Sequence, residues 1–166
     1  MPFEIMPAFS SLMHKQAIEE IERCNELTAK FGLTLSRQDA IELVETRTFS
    51  LKSNGRIEFG GGVIDKIIQG FCSSPYISKH NYVDTLHELI EIFYFYKNET
   101  LDLISDDDLI KFMKDFFDGQ CQGSLELLAG RELDKIARNL RYGYAPDYWE
   151  NDEYDEDGEG GKDGGY

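Results

Sequence analysis

Basic residues are scarce in this 166-residue chain, and the shortage excludes two classes of partner. Only 17 Lys and Arg stand against 32 Asp and Glu, which gives a formal net charge of −15 at pH 7. Nine acids and one lysine fall among the last 20 residues, a balance of −8, and the other 146 residues carry −7. A surface this acidic repels a nucleic-acid backbone and anionic lipid headgroups. We therefore expect neither a nucleic acid nor a membrane as the partner.

Cysteines and long apolar runs are also few. Cys24, Cys72 and Cys121 are far apart and form no Cys-x-x-Cys pair, which indicates free thiols in a reducing cytoplasm and argues against a disulfide framework or a zinc site. The most apolar stretch, 89–96, is far shorter than the roughly 20 residues that a membrane-spanning helix needs. The first ten residues contain two prolines and no basic residue, so we expect no signal peptide.

Amphipathic helical sequence is abundant. The most informative segment is 81–98, NYVDTLHELIEIFYFYKN, because its apolar side chains cover more than half of a helix circumference. Such a helix belongs at the centre of a core, so we predict an all-α or mainly α fold, a compact bundle of about six helices around this central aromatic helix. We expect a flexible lead-in over 1–9, a single helical domain over 10–143 and a disordered acidic tail over 144–166.

Several helix ends are visible in the sequence. Gly32 has the conformational freedom that the end of a first helix requires. Ser36 followed by Asp39 is a variant of the capping box, and it predicts the start of a second helix. Ser105 and Ser124 each precede a helical apolar pattern, so they are predicted as two further N-caps.

Residues 48–59 are compatible with two structures. Apolar and polar residues alternate on both sides of Asn54-Gly55, which is the signal of a short β-hairpin. The other interpretation is a helix that runs to about Ser53, with Gly55 as its C-terminal stop. The preceding helical pattern has no break, so we favour the helix.

The polar side of the central helix is one narrow stripe, formed by Asp84, His87, Glu88 and Glu91. Carboxylate and imidazole ligands on one helix face are typical of a di-iron or di-manganese site in a helix bundle. That site requires a second helix with a matching histidine. His14 lies near a predicted helix start and His80 in a predicted loop. We therefore favour a solvated or salt-bridged face over a metal site, and we predict no cofactor.

Cys121 is a second candidate for chemistry. It lies just ahead of the helix start at Ser124, where the helix dipole favours a thiolate. A nucleophile also needs a base, and no histidine is close in sequence. We favour an ordinary loop cysteine, with a reactive thiol as the alternative.

The acidic tail contains aromatic residues that are candidates for partner binding: Tyr148, Trp149 and Tyr154. Aromatic residues spaced among acids can dock on a basic partner and become ordered on binding. The alternative is a tail that only keeps neighbouring molecules apart.

Three segments resemble a small, uncharacterised, Firmicutes-type bacterial family of unknown function. They are RIEFGGGVIDKIIQGFCSSPYI (56–77), ELIEIFYFYKNETLDLISDDDLIKFMKDFFDG (88–119) and CQGSLELLAGRELDKIAR (121–138). The resemblance covers about residues 10–140 and leaves out the tail. It implies a bacterial, cytoplasmic, single-domain protein, and it brings no activity, ligand or catalytic residue with it.

These observations predict a non-catalytic protein-interaction or adaptor protein, whose partner is another protein. Its contact surface would be a helical groove or the acidic tail. The alternative is a small metal-binding or enzymatic helical protein that uses the stripe within 84–91.

Overall fold

The structure is a computed structural model that describes residues 2–58 and 62–143, with side chains from Leu12 onward. Its six helices of eight or more residues are α1 (Pro2–Arg23), α2 (Arg37–Ser53), α3 (Ile64–Phe71), α4 (Tyr82–Glu99), α5 (Asp106–Asp118) and α6 (Leu133–Arg141). Short helical turns follow α1 (Asn25–Thr28 and Ala29–Phe31) and precede α6 (Leu125–Leu127 and Leu128–Glu132). No strand occurs in these described ranges, and the predicted all-α fold with six helices is confirmed.

The aromatic helix α4 is the centre of the bundle, as the sequence predicts. It contacts α2, α3, α5 and α6. Its core-facing side chains are inaccessible to solvent, among them Leu86, Leu89, Ile90 and Tyr94. Burying an aliphatic or phenylalanine side chain of this size contributes about 1.5–3 kcal/mol each, so packing around α4 supplies a large share of the stability.

Helix α1 begins earlier than the sequence predicts and ends earlier, at Arg23, whereas Gly32, predicted to end it, ends the short helical turn Ala29–Phe31. The backbone of α1 is helical from Pro2, within the segment 1–9 that we expected to be a flexible lead-in. Proline is compatible with the first position of a helix because its missing N–H would have no intrahelical partner there. Ala17 and Ile21, which the helical pattern places inward, are buried.

The predicted serine caps are confirmed. Ser36 Oγ accepts the Asp39 N–H at 3.0 Å, and Asp39 Oδ2 accepts the Ser36 N–H at 3.0 Å, which completes a capping box. The hydroxyls of Ser105 and Ser124 accept the backbone N–H three residues further on, at 3.1 and 3.2 Å. Local side-chain chemistry therefore sets the starts of three helical segments.

The hairpin interpretation of 48–59 is wrong over the described residues, which reach Glu58. Helix α2 continues to Ser53, and Gly55, with φ of +64°, ends it in the left-handed region. The N–H of Arg56 then donates to the carbonyl of Leu51 at 2.8 Å, which closes the last turn. Ser50 and Leu51 are adjacent in the chain and both are buried. A helix allows this, whereas successive side chains of a strand point to opposite faces.

A polar network inside the core connects the segment after α2 to α4. Arg47 Nε and the Tyr94 hydroxyl both donate to Glu58 Oε1, at 3.2 and 2.6 Å. Burial and the Glu58 carboxylate raise the pKa of Tyr94, so the hydroxyl stays protonated. Gly62 has φ of +65°, and a Cβ there would lie 2.1 Å from Glu58 Oε1. Only glycine fits beside this network.

Candidate functional site

Helices α2 and α4 lie side by side and run in the same direction. The Thr46 hydroxyl and His87 Nδ1 are 2.6 Å apart, which joins the middle of α2 to the first half of α4. Further along, Asn98 Nδ2 donates to the carbonyl of Asn54 at 2.8 Å. Residue numbers rise on both helices from the first contact to the second, so the pair is parallel.

The solvent-exposed stripes of these two helices face the same side. At about 100° per residue, the exposed positions of α2 lie about 40–100° to one side of Thr46. Those of α4 lie about 40–100° to the opposite side of His87. Opposite rotations on two parallel helices that face each other point to the same side of the pair. We call this surface the α2/α4 face; its exposed residues are Glu42, Glu45, Phe49, Asp84, Glu88, Glu91 and Phe95.

Two large aromatic side chains on this face are exposed. Phe49 has 68% of its surface accessible and Phe95 has 49%. A phenylalanine that becomes fully covered buries roughly 150–250 Å², so two exposed rings on one face are a large unused apolar area. Phe49 comes four residues after Glu45, and Phe95 comes four residues after Glu91. Each ring therefore lies one turn beyond the acidic residues on the same side of its helix.

Exposed aliphatic residues continue from the C-terminal ends of the two helices. The Arg56 guanidinium binds both carboxylate oxygens of Asp102, at 2.7 and 3.1 Å, and this holds the pKa of Asp102 below its ordinary value. Ile57, next to Arg56, is 84% exposed, and Leu101 and Leu103, which flank Asp102, are exposed as well. Leu101 and Asp102 have φ of +56° and +58°, a region that costs L-residues about 1–2 kcal/mol each. The ion pair between Arg56 and Asp102 therefore stabilises the turn at 101–102, where the backbone is strained and the leucines are exposed.

The charge of the α2/α4 face is negative, with five carboxylates to one nearby lysine. Within residues 12–58 and 62–143, none of its five carboxylates forms an ion pair with a lysine or arginine. Glu42 accepts a hydrogen bond from Gln38 Nε2 at 3.1 Å, and that donor is neutral. Lys52, one turn beyond Phe49, is a basic residue on the same side of α2. The face thus joins an acidic surface to an apolar one.

The carboxylates predicted as metal ligands are all exposed: Asp84, Glu88 and Glu91. His87 is half-buried, and its Nδ1 is engaged by the Thr46 hydroxyl. The second histidine that a dinuclear site needs is not on α2, the helix beside the stripe. His14 is on α1, where its Nε2 lies 3.5 Å from the Thr48 hydroxyl. In the part of the chain that the structure describes, no group of three His, Cys, Asp or Glu side chains has a metal-binding arrangement. The metal site stays a prediction to which the structure adds no ligand.

The thiol candidate Cys121 lies in the core, whereas the tail candidates lie outside the described residues. Cys121 is buried, and burial followed by the Glu132 carboxylate raises its pKa, whereas the helix dipole was expected to favour the thiolate. The thiol form therefore dominates, as it does for Cys24, whose pKa burial raises to about 11. The partner-binding candidates of the tail lie outside the described residues, which end at 143: Tyr148, Trp149 and Tyr154.

Sequence reasoning found only part of the α2/α4 face. It identified the acids of α4, but it did not place Glu42 and Glu45 of α2 on the same surface, and it missed the exposure of Phe49 and Phe95. A signal for both is present in the sequence. Positions 42, 45 and 49, and positions 84, 88, 91 and 95, repeat at steps of three and four with acids first and phenylalanine last.

The fold and this surface define an all-α protein with an acidic, aromatic-bearing face on a parallel helix pair. The chain belongs to the Family of unknown function (DUF6323), whose sequence profile matches residues 20–146. The resemblance to an uncharacterised family is thereby confirmed. No curated protein and no solved structure gives a match. Among the described helices, none combines the length and apolar character that crossing a bilayer requires.

Proposed function

We propose that this protein is a non-catalytic protein-interaction or adaptor protein, and that it recognises its partner through the α2/α4 face. The observation that carries the proposal is the exposure of Phe49 and Phe95 beside five carboxylates without a described basic partner. Aromatic residues are enriched at protein interfaces and dominate their binding energy when a partner covers them. A cytoplasmic, bacterial protein fits the three buried free thiols and the family resemblance.

The helical framework of the face supports the same role. Its residues lie on two long helices that the Thr46–His87 and Asn54–Asn98 hydrogen bonds connect. A preorganised surface loses little conformational entropy on binding, so more of the contact energy appears as affinity. At 1.5 Å per residue, the face extends about 18 Å along the helix axes from Glu42 to Phe95, which suits one side of a protein interface.

Affinity purification with matched variants tests the proposal. The double variant Phe49→Ser/Phe95→Ser removes both rings from exposed positions, so the fold should persist, and circular dichroism with a thermal melt checks this. Phe31→Ser is the control, because Phe31 is 44% exposed and lies in the turn after α1, outside the face. We expect a stoichiometric protein to co-purify with the unaltered chain and with the control, and its recovery to fall at least about tenfold with the double variant.

Two results would count against this function. One is an identical set of co-purifying proteins for the double variant and the unaltered chain. The other is stoichiometric Fe, Mn or Zn in protein purified without a metal-binding tag, because this would favour the metal-binding alternative that uses the stripe within 84–91.

A further inference from the structure

Acidic groups give way to apolar groups along the α2/α4 face. Measured from the level of the Thr46–His87 contact at 1.5 Å per residue, the carboxylates lie between about −6 and +6 Å along the helix axes. Phe49 lies at about +4.5 Å on the same scale, level with the last carboxylates, and Phe95 lies beyond them at about +12 Å. The exposed residues Ile57, Leu101 and Leu103 follow beyond the C-terminal ends of the two helices. The carboxylates therefore dominate toward the N-terminal ends of the two helices and the apolar groups toward the C-terminal ends, with Phe49 and Glu91 at similar levels and the exposed Lys52 at about +9 Å.

We propose that the partner contributes an amphipathic α-helix with lysines or arginines at one end and bulky aliphatic residues at the other. This inference rests on the proposed function and specifies the partner that the same surface accepts. The basic end would lie over the five carboxylates, and the aliphatic end would cover Phe49 and Phe95. The face is about 18 Å long, equivalent to about twelve residues or three turns of a helix, so a single short segment can cover it.

The helical surface disfavours a peptide that binds as an added strand. Extended peptides commonly bind by adding a strand to an exposed sheet edge, and the described residues contain no strand that could accept one. Two parallel helices instead form a shallow groove between them, with the Thr46–His87 contact along its base. Helical segments bind such grooves through side chains spaced three and four residues apart.

The negative charge of the face favours a basic helix over a second copy of the chain, a nucleic acid or an anionic lipid surface. A second copy of the chain in a twofold contact on this face would bring five carboxylates from each copy into one interface, with Lys52 as the basic residue on that side of α2. Like charges facing each other cost several kcal/mol across an interface, so this surface disfavours self-association. The same charges repel nucleic acids and anionic lipids. A basic helix is the occupant that the charge favours.

Fluorescence anisotropy with defined probes tests the inference. The probe is a labelled alanine-based helical peptide of about 16 residues, with lysines in its first half and leucines in its second. Two matched peptides replace either every lysine by glutamate or every leucine by alanine. The full chain should bind the first peptide, and Phe49→Ser/Phe95→Ser should weaken this binding at least about tenfold. Binding of the leucine-free peptide should be weaker and insensitive to the same double variant.

A charge-matched pair of variants tests where the lysines bind. Glu88→Gln/Glu91→Gln should weaken binding of the lysine–leucine peptide about threefold to tenfold and reduce the salt dependence of the affinity. Glu19→Gln/Glu26→Gln removes the same charge from exposed positions on and just after α1, and it should leave the affinity within about twofold. Equal effects of the two pairs, or equal binding of the glutamate peptide, would overturn the inference. So would a dimer of the unaltered chain, seen by sedimentation, that Phe49→Ser/Phe95→Ser dissociates.

The peptide result and the cellular result separate the two proposals. If Phe49→Ser/Phe95→Ser removes a cellular partner but the basic peptide does not bind, the interaction function stands and the helix class assigned here is wrong. If the peptide binds as expected but no cellular partner depends on the two phenylalanines, the proposed function itself fails.

Discussion

Two buried tyrosines of α4 show how differently equivalent hydroxyls are used. The Tyr94 hydroxyl donates to Glu58 Oε1 at 2.6 Å within the core network. The Tyr82 hydroxyl is buried and has no hydrogen-bond partner among the described residues. The nearby Thr28 hydroxyl donates to the carbonyl of Leu33 at 2.6 Å, and it does not come within hydrogen-bonding geometry of the Tyr82 hydroxyl. A buried hydroxyl without a hydrogen-bond partner lowers the stability of the fold, whereas a buried hydroxyl with a partner raises it.

The two tyrosines therefore predict opposite outcomes for the same substitution. Tyr94→Phe removes the shorter of the two hydrogen bonds to Glu58 Oε1 and leaves only the one from Arg47, so we expect the free energy of unfolding to fall by about 1–3 kcal/mol. Tyr82→Phe removes a hydroxyl that forms no bond, so we expect no loss, or a gain of up to about 1 kcal/mol. Urea denaturation of both variants at pH 7 measures the difference. Equal losses for the two variants would contradict this description of the core.

Arg47 marks a limit of sequence reasoning at the residue scale. The helical pattern gives no reason to bury an arginine, yet only 4% of Arg47 is exposed. Its partner Glu58 lies 11 residues away, and the third member of the network, Tyr94, lies 36 residues beyond Glu58. Burying a guanidinium is tolerable only where a carboxylate meets it, and that meeting depends on packing between distant segments.

At the scale of one helix, the capping box at the start of α2 yields a local prediction. Ser36→Ala removes the hydroxyl that accepts the Asp39 N–H, so it should lower the free energy of unfolding by about 1 kcal/mol. Ser53→Ala, at the exposed last residue of the same helix, is the control, and it should be neutral or stabilising by up to about 0.5 kcal/mol. Thermal or urea unfolding compares them. A control variant as unstable as Ser36→Ala would remove the cap from the explanation.

Helix limits were predictable because their signals are local, but the pairing of helices was not. Ser36, Gly55 and Ser105 act on backbone groups within a few residues, so the sequence shows where helices begin and end. The parallel arrangement of α2 and α4 depends on contacts between residues more than 40 positions apart, such as Thr46 and His87. Only that arrangement shows that two separate acidic stripes form one face. The sequence therefore predicted half of the candidate site.

For the whole molecule, the distribution of charge matters more than its total. The net charge of −15 predicts repulsion of polyanions but says nothing about where a partner binds. Elsewhere on the described surface, many acids are paired with bases, as Glu22 is with Arg37 and Asp107 with Lys66. On the α2/α4 face the acids have no such described partners, and the exposed rings adjoin them. This combination makes the face the contact surface in our account.

Site-specific photo-cross-linking in living cells tests this central claim most directly. A photoreactive amino acid would replace Glu45 or Glu91 on the face and, as controls, the exposed residues Lys30 or Glu126 outside it. The account predicts that both positions on the face capture the same protein and that neither control position does. Capture of that protein mainly from the control positions, or no capture from either position on the face, would contradict it.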